Sequence, residues 1–143
     1  MKHISTRQLA LCAVLTALAL GLSTLENLFP VTLLIPLPGV KLGLANIVTV
    51  FALYQLGALP ALAILTARCL LGSLFAGNAS AMLFSLLGGL TAMLVMILLR
   101  RLKGLSIYGV SIGGAAGHNL GQMAAALITL GNTAVLGLSL IHI

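Results

Sequence analysis

Polar side chains are so sparse along this chain that the interruptions between apolar runs define its elements. The runs cover about 7–28, 42–59, 60–76, 80–99 and 106–130, with the start of another at 133–143. Each of the first five approaches the roughly 17 to 25 residues that an α-helix needs to cross a bilayer. The interruptions carry helix-ending chemistry: Phe29-Pro30 with Pro36 and Pro38, then Gly57 and Pro60, Gly77-Asn78, the basic run Arg100-Arg101-Lys103-Gly104, and Gly131-Asn132. The pattern predicts an all-α integral membrane protein, a bundle of about six transmembrane helices, and a single transmembrane domain over residues 1–143.

Composition supports the membrane reading. Of 143 residues 61% are hydrophobic and 6% are charged, whereas soluble domains carry about a quarter charged residues. A soluble domain buried in a larger assembly would still need a polar surface, and eight charged side chains (seven Lys/Arg and one acid) do not cover one. The net charge of +6 does not point to nucleic acid, because the cations form no face with interleaved aromatics. Lys2 and Arg7 before the first run resemble a signal peptide, with Ala17-Leu18-Ala19 as a mock cleavage site, but the apolar run continues past it, which suits a retained span. Lys2 and Arg7 precede the first span, and Arg100, Arg101 and Lys103 follow the fourth. Both clusters therefore fall on one side, and the positive-inside rule makes it cytoplasmic. The expected location is a bacterial cell membrane, crossed several times, with the N-terminus in the cytoplasm. Cys12 and Cys69 stand in apolar runs without metal-ligand spacing and read as small buried hydrophobes.

Three charges fall elsewhere: Glu26 near the outer end of the first span, Lys41 at the outer start of the second, and Arg68 near the middle of the third. A cation at the bilayer centre costs about 2.5–3.5 kcal/mol on insertion scales, so Arg68 needs a partner or a wet cavity. Glu26 or backbone carbonyls are structural partners for it, and Lys41 taken alone is explained by snorkelling to headgroups. In "GVSIGGAAGHNLGQ", Gly109, Gly113, Gly117 and Gly121 form a small stripe for close helix packing. His118, Asn119 and Gln122 cluster on one side of the same helix at mid-membrane depth, read either as interhelical hydrogen bonders or as part of a site. The topology puts Lys41, Asn46, Arg68, Asn78, His118, Asn119 and Gln122 in the outer half of the membrane. Together they suggest a positive, outward-facing cavity for a small anionic or carboxylated solute, with forked Arg68 as its clamp. Lys41 and Asn46, five residues apart on a regular helix, would point about 140° away from each other, so both face a ligand only if the helix starts irregularly after Pro38-Gly39. "PVTLLIPLPGV" (30–40) reads as an outer loop over the site or as a plain interfacial connector. Ala13 and Ala17, extended by Gly21, mark a small-residue face on the first helix.

Three stretches, "PGVKLGLANIVTVFAL" (38–53), "ARCLLGSLFAGNASAMLFSLLGG" (67–89) and "GVSIGGAAGHNLGQ" (109–122), resemble the Gx transporter family, also labelled heptaprenyl diphosphate synthase component I. That family is similar to the substrate-binding S components of energy-coupling factor transporters. The resemblance implies about six helices, a small substrate held near the outer surface beneath the loop after helix 1, and an Ala-xxx-Ala face docking an energy-coupling transmembrane subunit and its ATPases. Ala13 and Ala17 match that face. The synthase label is testable on the residues: a prenyl diphosphate synthase of the usual kind binds magnesium through aspartates, and this chain has no aspartate and one glutamate. It also lacks a phosphate-binding glycine loop ending in Lys-Ser/Thr. The residues therefore suggest no catalytic, metal or cofactor site in this chain. They leave two readings, a substrate-binding transport subunit or a noncatalytic membrane component of a synthase used in isoprenoid and quinone synthesis. A structural scaffold is the third. The final "LSLIHI" (138–143) is what CTG TCT CTT ATA CAC ATC encodes, the end of a common sequencing adaptor. The native protein is thus expected to continue into a full sixth helix, and His142 is not counted as a site residue.

Overall fold

A computed structural model describes residues 3–29 and 44–130, with the side chains of Asn27 and Leu130 excepted. Lys2, Lys41, the 30–40 connection and the partial sixth span lie outside the described residues. Within them the chain is all-helical: α1 Thr6–Leu28, α2 Leu44–Gln55, α3 Ala58–Ala76, α4 Ala79–Arg100 and α5 Ile107–Leu130, with no strand. It falls into two compact units, Met1–Phe75 and Ala76–Ile143.

The ends of these helices follow from local chemistry. Ser5 caps α1, its Oγ accepting from the Gln8 amide at 3.3 Å. α2 stops at Gln55 because Gly57 takes φ +101° and the Leu56 and Gly57 amides both turn back to the Ala52 carbonyl, at 2.8 and 3.2 Å. This corrects the expected span of 42–59. Pro60 does not break the chain; it sits in the first turn of α3, where a missing N–H leaves no helical bond unmade. Gly77 (φ +61°) ends α3 and Asn78 starts α4, its Oδ1 accepting from the Ser80 and Ala81 amides at 3.0 and 3.3 Å.

Three of these helices are long and apolar enough to cross a membrane: Thr6–Glu26 within α1, Ala58–Ala76 and Ala79–Arg100. The described part of α2 has twelve residues, about 18 Å at 1.5 Å per residue, and it starts at the first residue described after position 43. α5 has the length, with 24 residues, but is not among the helices that are also apolar enough throughout, since His118, Asn119 and Gln122 interrupt it. Sequence reading treated both as full spans; the described residues give three helices with the necessary length and composition.

In the first unit α2 forms the core. Ala45, Val48, Thr49, Val50, Ala52 and Leu53 of α2 are buried, with Ala61, Ile64, Leu65 and Cys69 of α3 and Ala19 of α1. Thr49 is hidden because its hydroxyl donates to the Ala45 carbonyl at 3.3 Å. α1 packs on α2 yet keeps Val14, Leu18 and Leu25 exposed. That is the expected behaviour of a helix whose outer face meets lipid tails instead of water.

The second unit is an antiparallel hairpin of α4 and α5 with glycines at the crossing. Residues near 88 on α4 meet those near 121 on α5, and residues near 96 meet those near 114. A Cβ on Gly117 would stand 2.9 Å from Val95 Cγ2, and one on Gly114 2.7 Å from Met96 Cγ. A Cβ on Gly121 would collide with the Leu87 carbonyl oxygen and come within 2.8 Å of the Gly88 Cα. Only small residues allow backbones this close, and in lipid such packing substitutes for a hydrophobic drive. Gly109, expected in the same stripe, instead neighbours Leu105 and Ser106 at the start of its own helix.

Candidate functional site

Arg68 is the only charged residue in α2 and α3. It projects from the middle of an apolar, membrane-length helix and is half-buried. Its Nη2 donates to Asn46 Oδ1 on α2 at 3.4 Å, a long bond to a neutral amide. Its Nε is buried and has no hydrogen-bond partner among the described residues. A guanidinium presents five N–H donors in a fixed plane and remains charged at every physiological pH. Asn46 therefore orients the group through a neutral acceptor, and the buried Nε–H is left unsatisfied among the described residues.

The second unit gathers a different polar pair. His118 and Gln122 are one turn apart on α5, half-buried, and both lie over Gly88 of α4. A Cβ on Gly88 would be 2.9 Å from His118 Cε1, 3.0 Å from Nδ1 and 3.0 Å from Gln122 Cγ. Gly88 is thus the notch that admits the two side chains. Sequence reading passed over it, although "LLGGL" within an apolar run was its visible signal. Asn119 does not join the pair: it is exposed, because consecutive residues on a helix diverge by about 100°. Asn78 is exposed too, with its side-chain oxygen committed to capping α4.

Of the seven residues expected to bind solute, the structure joins Asn46 to Arg68 and His118 to Gln122. Within the second unit Asn78 and Asn119 do not join the His118–Gln122 pair, and Lys41 lies outside the described residues. Ala13 and Ala17 on α1 are exposed, and Gly21 on the same helix has open space where a Cβ would go. No group of three or more His, Cys, Asp or Glu is placed to hold a metal ion among the described residues.

No curated protein and no solved structure matches the chain. A family model does match, over residues 15–141, which take in all three stretches that carry the sequence resemblance. By that match the chain belongs to the family described as heptaprenyl diphosphate synthase component I.

Proposed function

We propose that this protein is a membrane-embedded substrate-binding subunit, similar to an S component, that takes up a small anionic solute, with the Arg68 guanidinium as the anion clamp and Asn46 as the residue that orients it. The observation that carries this reading is the Arg68 environment: a fixed cation in an apolar helix, held by a neutral amide, with a buried Nε–H unpaired among the described residues. Burying a cation without a counter-charge costs several kcal/mol, and an anionic ligand offsets that cost each time it binds. In this reading Lys41, on the same chain segment as Asn46, is a further candidate contact for the solute. Residues 1–143 act as one transmembrane domain of about six helices with the N-terminus in the cytoplasm. The exposed Ala13 and Ala17 receive an energy-coupling membrane subunit that works with ATPases.

Family membership favours a second reading, a noncatalytic membrane component of a heptaprenyl diphosphate synthase. With no aspartate in the chain, the magnesium–diphosphate chemistry falls to a soluble partner. One experiment separates the two. The protein is purified from its membrane, and bound small molecules are identified by mass spectrometry for wild type, Arg68→Ala and Lys41→Ala. A solute present in wild type and lost in both variants supports uptake. An empty wild-type protein that captures a prenyl diphosphate synthase overturns it in favour of the second reading.

A further inference from the structure

The three cations at the α4–α5 turn have a different environment from Arg68. Arg100 ends α4, Arg101 caps it and Lys103 follows within the turn; all three are exposed. Cations suit a helix C-terminus, which explains their local tolerance but not what balances them. Residues 79–130 contain no Asp or Glu, and the chain's single acid is Glu26. The three cations therefore have no acidic side chain in residues 76–143, the span of their own unit.

Their surroundings are apolar. Leu98 and Leu102 are each 55% exposed and Tyr108 is 80% exposed, so the turn presents cations interleaved with a collar of greasy side chains. The 22 residues of α4 span about 33 Å, close to the hydrocarbon thickness of roughly 30 Å. A crossing α4 therefore brings Arg100 to the level where acyl chains give way to headgroups. Two arginines at that level present forks that match phosphate oxygens, and Tyr108 has the amphipathic ring common at the same depth.

We propose that the α4–α5 turn is a binding site for the phosphate headgroup of an anionic membrane lipid, with Arg100, Arg101 and Lys103 on the headgroup and Leu98, Leu102 and Tyr108 along its acyl boundary. The apolar collar favours a lipid over free phosphate, and over the acidic surface of a soluble protein, which a wet, uniformly polar patch would suit better. The site is independent of the solute reading, since it uses none of the same residues.

The test uses the full chain, purified and delipidated in neutral detergent, with retained lipid counted by native mass spectrometry. Phosphatidylglycerol, phosphatidylcholine and inorganic phosphate are titrated separately. Wild type is expected to hold phosphatidylglycerol at least about tenfold more tightly than phosphatidylcholine, with affinity falling about fivefold per cation removed and on the order of a hundredfold in R100Q/R101Q/K103Q. Removing these charges can redirect insertion. The variant R100K/R101K therefore retains charge and orientation while losing both forks, and it is expected to fall between wild type and the triple variant. Equal retention of the two lipids by wild type, or a preference that survives in the triple variant, overturns the site. Displacement of the bound lipid by millimolar inorganic phosphate overturns its assignment to lipid.

Discussion

Arg68 carries the sharpest choice between structure and function. If the Asn46–Arg68 contact is a structural brace, removing the guanidinium strands a polar partner and costs about 1–3 kcal/mol. If Arg68 is retained for a ligand, the solute-free protein bears an undercompensated charge, and Arg68→Met is expected to leave stability unchanged or raise it by about 1–4 kcal/mol. Denaturation of the solute-free variant in mixed micelles reads the sign directly. Asn78 allows a similar separation. As a cap its loss in Asn78→Ala should cost about 1 kcal/mol, and Asn78→Ser should restore most of it, with solute retention unaffected by the Ser variant. A drop in solute retention in Asn78→Ser, with stability intact, would return Asn78 to the site. The sequence made the type and depth of these residues readable, since a lone arginine in an apolar run stands out. It did not show which neighbours meet them. Asn46 finds Arg68 through the turn at Gly57, and the capping role of Asn78 is a matter of side-chain geometry.

Elements were legible where their ends carry strong punctuation. α1 and α4 begin and end, and α5 begins, within one residue of the bounds read from apolar runs. α2 and α3 were misdivided because Gly57 and Pro60 stand close together and both read as breakers. The glycine at positive φ interrupts the chain, while the proline fits a first helical turn. Periodicity also grouped Gly109 with three glycines at the α4 contact, and His118 with Asn119. A four-residue spacing identifies a shared face, but it does not say which neighbour that face meets or how far along the helix the contact extends. The packing difference between glycines is measurable. Gly121→Ala places a methyl against the Leu87 carbonyl and the Gly88 backbone and is expected to cost about 1–3 kcal/mol. Gly21→Ala meets nothing within 4 Å and should be neutral or gain up to about 1 kcal/mol from helix propensity. Unfolding of the two variants side by side, under one detergent condition, checks both; equal effects would contradict the glycine crossing.

On the scale of the whole molecule, the membrane character was readable from composition alone, and the family from three stretches in order. The number of crossings was not. Burial against protein, as for the described residues of α2, and burial against lipid select the same apolar side chains, so composition alone does not count crossings. Partner docking is tested on α1. Because Ala13 and Ala17 are exposed, Ala13→Leu/Ala17→Leu should leave unfolding within about 0.5 kcal/mol of wild type and abolish capture of an energy-coupling subunit from native membranes. Capture undiminished by the two leucines would remove that face from the interface. The central claim, an anion held by Arg68, is tested most directly by thermal unfolding of the solute-free protein against a panel of small carboxylates, phosphates and neutral compounds. A ligand at a hundred times its Kd adds about 2.7 kcal/mol to the folded state. The expected result is a raised midpoint for one or more anions in wild type, none for neutral compounds, and none for any compound in Arg68→Ala. Stabilisation by the same anions in Arg68→Ala would contradict the account.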